Sequence, residues 1–274
     1  MNSTTRDLAH APFPAFTEKM RAFCRLIGIV ALQDMRTRYG QRSHFGYLIT
    51  LITPLVHISF LTAIYYVRTA VAPVGDSPAL FITTGALPYI VCIYPSREAA
   101  KALMDNRQLL SIPVLQPLHL MLARCLLESL NAIFVMATFL LGLYLFDIDI
   151  APIDYLEAAS ALGASVILGV AFGLFNVMMC GIFGYFFSVV AMLLMMALFL
   201  VSGVYVPVWT MPEEAQKYLY YNPIYHLVEW SRSAYFISYE SGSFDKAYVL
   251  VIAGSLAAIA LLGDRLFRGK IISW

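Results

Sequence analysis

AASALGASVILGVAFGLFNVMM at 158–179 and YFFSVVAMLLMMALFLVSGVYV at 185–206 are separated only by CGIFG, and together they decide the class of fold. Each run reaches the roughly 20 apolar residues that a helix needs to cross a hydrocarbon core. No water is available there, so backbone groups must pair within the helix. The short join makes the two helices antiparallel neighbours. Gly169 and Gly173 in the first form a GxxxG, which permits close helix contact but is common enough in membrane helices to carry little weight alone.

Four further apolar stretches flank this pair. Residues 47–67 contain Pro54 and His57, and residues 79–100 are apolar to Tyr94 before Arg97, Glu98 and Lys101 appear. Residues 118–146 and 247–267 complete the set, so the expected fold is an all-α integral membrane protein with six transmembrane helices. The chain is 60% hydrophobic and 13% charged, with mean hydropathy +0.74, a balance that soluble domains do not reach.

Residues 1–42 form an amino-terminal region, 43–267 a single transmembrane domain and 268–274 a tail. MNSTTRDLAH opens the chain without an apolar region and cleavage site, so no cleaved signal peptide is expected. Within 16–38, Met20, Phe23, Cys24, Ile27, Val30 and Ala31 recur at helical spacing, interleaved with Lys19, Arg21, Arg25, Asp34 and Arg36. That pattern suits an amphipathic helix in the membrane interface, and equally one packed on protein. DNRQLLSIPVLQP at 105–117 reads as a compact loop or short surface helix, since Pro113 and Pro117 oppose a continuous one. Arg124 and Glu128 stand four apart on one helical face, as a mutual pair or turned into the bundle.

Basic residues set the orientation. Arg6, Lys19, Arg21, Arg25, Arg36, Arg38 and Arg42 precede the first span; Arg97, Lys101, Arg107 and Arg124 lie between the second and third; Arg265, Arg268 and Lys270 end the chain. These are 14 of the 18 Lys and Arg, which places both ends and the proline-rich connection in the cytoplasm. An even number of spans keeps them together.

Candidate chemistry is sparse. GDRLFRGK at 263–270 has five residues between its glycines where a phosphate-binding loop has four, and Ile271 stands where Ser or Thr would hold magnesium. The histidines and the four cysteines match no zinc spacing, and no disulfide is expected. Neither a nucleophile signature nor a mid-membrane acid for proton relay is visible. The extracytoplasmic segment 207–246 is densely aromatic, with Trp209, Tyr218, Tyr220, Tyr221, Tyr225, Trp230, Tyr235, Phe236 and Tyr239. Such rings anchor membrane interfaces, and they also stack on sugars. Asn222 suits a helix cap and Pro223 the first helical position, starting a short reentrant or surface helix.

Three segments carry a family resemblance: DMRTRYGQRSHFGYL at 34–48, NRQLLSIPVLQPLHLMLARCLLESL at 106–130 and YNPIYHLVEWSRSAYF at 221–236. With them the chain resembles the ABC-2 membrane permeases of bacterial polysaccharide exporters, and is most similar to the capsule-polysaccharide, polysialic-acid type. The resemblance implies an amino-terminal interface helix, six crossing helices and reentrant helices before the last. It also implies a homodimer in the bacterial inner membrane, paired with two separate ABC ATPase subunits that bind ATP and magnesium, while this chain binds no cofactor and is no enzyme. The expected cargo is a lipid-linked capsular polysaccharide passed to periplasmic and outer-membrane export proteins. Exporters of O-antigen or teichoic acid share the architecture, and a non-energised membrane scaffold is the alternative of a different class.

Site residues follow from the same segments. Arg36, Arg38, Tyr39, Gly40, Arg97, Lys101, Asn106, Arg107, Leu109, Leu110 and Pro113 are expected at the ATPase-coupling or membrane-interface surface. Trp209, Tyr221, Asn222, Pro223, Tyr225, His226, Glu229, Trp230 and Arg232 are expected along the glycan path or reentrant segment.

Overall fold

Ser77 opens the helix that organises this protein: its hydroxyl accepts from the Leu80 N–H, and Pro78 fills the first position, where a missing N–H costs nothing. The computed structural model describes residues 16–40, 52, 54–56, 58–60, 62–64, 67, 72–237, 239 and 244–273, and their regular structure is all helical. In chain order these are α1 (Phe16–Gly40), α2 (Pro78–Asp105), α3 (Pro117–Leu145), α4 (Tyr155–Phe183), α5 (Phe186–Val201), α6 (Glu213–Leu219), α7 (Pro223–Tyr235) and α8 (Lys246–Ser273). A 3₁₀ turn, Arg107–Ser111, links α2 to α3.

Caps explain where the long helices begin and stop. Asp154 Oδ1 accepts from the Leu156 and Glu157 N–H groups to start α4, and Gly184, in the left-handed region at φ 85°, ends it. Gln116 and His119 form a reciprocal capping box ahead of α3, with Pro117 at its first position.

The expectation of six transmembrane helices is corrected to four among the described residues. α2, α3, α4 and the Lys246–Lys270 part of α8 are long and apolar enough to cross. The proposed span at 185–206 contains a helix of only 16 residues, about 24 Å at 1.5 Å per residue and short of a ~30 Å hydrocarbon core. Apolarity continues through Val204, Tyr205 and Val206, but Gly203 at φ 76° turns the chain out of the helix, and hydropathy does not register that. Residues 47–67 add no such helix among the described residues, because much of that stretch, His57 included, lies outside them. The chain is therefore an all-α multi-pass membrane protein with four such helices described.

α2 is central. It is 83% buried over its apolar window, against 28% for α8. Its broadest partner is α4, which in turn lies against α8, while α3 and α7 cover other sides of α2. The GxxxG faces α2: a Cβ on Gly173 would sit 2.7 Å from the Pro95 carbonyl oxygen, and one on Gly169 would overlap that of Cys92. Pro95 gives up a helical N–H here, and Ser96 stitches the region by donating to the Cys92 oxygen at 2.7 Å and the Gly169 oxygen at 3.1 Å.

Candidate functional site

Two clusters of buried charge occupy opposite ends of α2. At its carboxyl end, α1 is docked through Asp34 and Arg38, four residues apart and so on one helical face. Asp34 is 2% exposed and receives Arg124 Nε at 2.5 Å, Arg124 Nη2 at 2.8 Å and Asn106 Nδ2 at 3.0 Å. Arg124, fully buried in α3, also reaches Asp105 at 3.1 Å. Arg38 donates to Glu98 on α2 at 3.2 Å and, in closer contact, to Glu128 on α3. Glu98 further receives Arg97 and Lys101, each at 2.9 Å, and Asn131 donates to Glu128 at 3.4 Å.

Burying such ions costs several kcal/mol each unless partners replace their water, which is what this alternation of signs supplies. Arg124 and Glu128 do not pair with each other, as their spacing allowed; each instead binds α1. Val30 and the tilted contact of Phe23 with His119, ring centroids 4.8 Å apart, complete the docking. The pattern is a helix packed on protein along one face, while Phe16, Met20, Ile29, Leu32 and Met35 remain exposed on α1.

Of the residues expected at this surface, the structure brings Arg38, Arg97 and Lys101 together around Glu98, while Asn106 joins the neighbouring Asp34–Arg124 pair. Arg36 stands exposed, away from Asp34. Leu109 and Leu110 pack partly against the core containing Val30, whereas Arg107 and Pro113 are exposed. The side chain of Tyr39 and the surroundings of Gly40 lie outside what is described. Beside these contacts, Met104 near the end of α2 and Ile112 and Val114 just past the 3₁₀ turn are apolar side chains 52%, 45% and 64% exposed. Sequence reasoning missed Asp34, Glu98, Asp105 and Glu128 as site residues; an acid four before Arg38 in a basic helix was the available signal.

At the amino end of α2 lies α7, started by Asn222, whose Oδ1 accepts from Ile224 N–H while its Nδ2 donates to the Leu198 oxygen and to Ser202 Oγ, each at 2.8 Å. Most of α7 is buried. Arg232 donates to the carbonyls of Gly203 at 2.8 Å and Val204 at 2.5 Å, with its guanidinium 3.8 Å from the Phe81 ring centroid. Tyr239 donates to Glu229 at 2.6 Å. Burial pushes the Tyr239 hydroxyl above its ordinary pKa against the opposing pull of Arg232, so it keeps the proton it donates.

His226 is held between two backbones: the Asp245 N–H donates to Nδ1 at 2.9 Å, and Nε2 lies 2.8 Å from the Tyr220 oxygen. This set requires the neutral tautomer with its proton on Nε2. Burial lowers the His226 pKa, against the raising influence of the Tyr220 carbonyl and the Asp245 charge.

Among the residues expected along a glycan path, Asn222, Tyr225, His226, Glu229, Trp230 and Arg232 are buried in the chain's own core, and Pro223 is half-buried. Trp230 donates to Glu157 at 2.6 Å, and Lys246 bridges the same carboxylate at 2.7 Å. Only Trp209 and Tyr221 of that set are exposed, alongside Tyr218 and Tyr220.

Residues 26–236 match the family model for ABC-2 type transporters. Two polysialic acid transport proteins KpsM of Escherichia coli are 26% identical over 219 residues, covering 80% of this chain and 84% of theirs. The capsule polysaccharide export inner-membrane protein CtrC of Neisseria meningitidis serogroup A is 26% identical over 234 residues, covering 81% and 83%. Nucleotide is not accounted for by any motif in the chain, and the described residues hold no cluster of metal-binding side chains.

Proposed function

This chain belongs to the ABC-2 type transporter family, and from that premise we propose that it is the permease subunit of an ATP-driven exporter of a lipid-linked capsular polysaccharide. The family match over 26–236 carries the reading, and the names of the similar proteins, a polysialic acid transporter and a capsule exporter of the inner membrane, supply its cargo and location. In this reading the chain sits in a bacterial inner membrane and works as a pair of copies with two ATPase subunits. It hands its cargo to periplasmic and outer-membrane proteins.

The charge distribution supports a cytoplasmic α1 and α2–α3 connection, because Arg38, Arg97, Lys101, Arg107 and Arg124 gather there. The exposed Met104, Ile112 and Val114 beside Arg107 form the surface offered to the ATPase. Because two ion networks, one through Asp34, Arg124 and Asp105 and one through Arg38, Glu98 and Glu128, each join α1, α2 and α3, a push on that surface is felt by all three. Trp209 and Tyr221 are the rings available to a passing sugar chain, on the segment that leads into the buried α7.

Replacing Arg107 and Leu110 separately tests the surface. Variants that insert normally are expected to lose ATPase association, and unchanged association with both would remove the assignment.

A further inference from the structure

We propose that Arg232 is a positioning residue that fastens α7 to the outer end of α2, making α2 a strut tied by charged groups at both ends. The direction of travel along the strut rests on the export reading above; its geometry does not.

Arg232 is fully buried in the last turn of α7, yet packing does not require a cation there. An apolar side chain of similar volume would avoid the desolvation cost. The guanidinium instead bridges three elements: α7, which bears it; the turn after α5, through the Gly203 and Val204 carbonyls; and α2, through the face of Phe81 and its carbonyl oxygen at 3.5 Å. Tyr239 closes the cluster, 3.5 Å from Nη1 while donating to Glu229.

Two glycines make room for this fork. Gly203 takes a left-handed φ of 76°, turning the chain at the carbonyls that Arg232 reads. Gly85 stands one turn beyond Phe81 on the same face of α2, and a Cβ there would lie 2.7 Å from Nη2 and 3.2 Å from the guanidinium carbon. Gly85 in a buried helix interior is thus explained by the cation beside it. At the other end of the same helix Glu98 receives Arg38 of α1. Between the two, Pro88 and Pro95 each remove a helical hydrogen bond from α2, and Gly169 and Gly173 press α4 onto its backbone around Pro95, bracing it at that point. A helix gripped at both ends and along its middle transmits displacement of α1 to α7.

The test uses the full chain assembled with its partner ATPase in lipid nanodiscs, carrying Cys24→Ser and a nitroxide on Ile237→Cys, an exposed position just past α7. Adding ATP is expected to change the nitroxide mobility. Gly85→Ala, which pushes the fork aside, is expected to weaken that response roughly tenfold, within the usual range of coupling between sites. Arg232→Met is expected to do the same, and Gly85→Ala added to Arg232→Met to do nothing further. Arg232→Lys, which keeps the charge without the fork, serves where Gly85→Ala does not insert, and is expected to lose the response as well.

Additive effects of the two substitutions, a full response in Arg232→Met or Arg232→Lys, or no ATP response in the unsubstituted complex would each overturn the strut. Failure of the export reading shows separately, as absent glycan movement while the nitroxide still responds.

Discussion

Asp34→Asn should release α1 from the bundle, and the size of the effect follows from its contacts. The Asp34 carboxylate receives three N–H groups, two of them from a fully buried guanidinium. Removing one partner of a buried ion pair costs about 3–5 kcal/mol, because the remaining charge is stranded. Here the lower figure applies, since Asp105 stays 3.1 Å from Arg124 and its side chain is 47% exposed, so water reaches that side. Arg124 Nη1, already without a hydrogen-bond partner, offers no compensation. About 3 kcal/mol corresponds to a shift of roughly a hundredfold toward undocked α1. Hydrogen exchange of α1 amides in nanodiscs reads this directly: protection over Ile27–Arg38 should fall by that order, while α4 amides stay unchanged. The reversed pair Asp34→Arg with Arg124→Asp should recover part of it. Unchanged α1 protection in Asp34→Asn would refute the reasoning, as would an equal loss in α4.

Gly169→Ala should destabilise the fold by about 1–3 kcal/mol through overpacking against α2. Gly163→Ala in the same helix, where nothing lies near the added carbon, should be neutral or slightly stabilising in thermal unfolding. Because the folded pKa of His226 is lowered, neutral His226 contributes stability above about pH 6.5, its unfolded value, and loses it as pH falls through the folded pKa. Amide exchange at the start of α7 and α8 should rise on going from neutral to acidic buffer, and His226→Gln should flatten that dependence. Phe23→Ala should weaken α1 docking less than Asp34→Asn, since it removes one ring contact with His119 and no ion pair; equal effects would show that the ions contribute little.

Class and family were legible in the sequence, whereas span number and side-chain partners were not. Apolar length and the distribution of Lys and Arg identify a multi-pass membrane protein, because lipid imposes those patterns directly. The count failed at 185–206, where Gly203 ends a helix inside an apolar run. Arg124 and Glu128 looked like an i, i+4 pair, but both partners came from α1, some 90 residues away, and no local spacing encodes that. Likewise the aromatic density of 207–246 did not distinguish Trp230, whose indole is buried on Glu157, from Tyr221, which is open to contact. Asn222 and Pro223 were readable because capping is a local matter.

The most direct measurement is ATP-dependent movement of a lipid-linked capsular glycan across vesicles containing this chain and its cognate ATPase. The account predicts glycan protected inside inverted vesicles only when both proteins and ATP are present, with ATP turnover rising when glycan is added. A stable complex that hydrolyses ATP yet moves no glycan, or a chain that binds no ATPase, would contradict it.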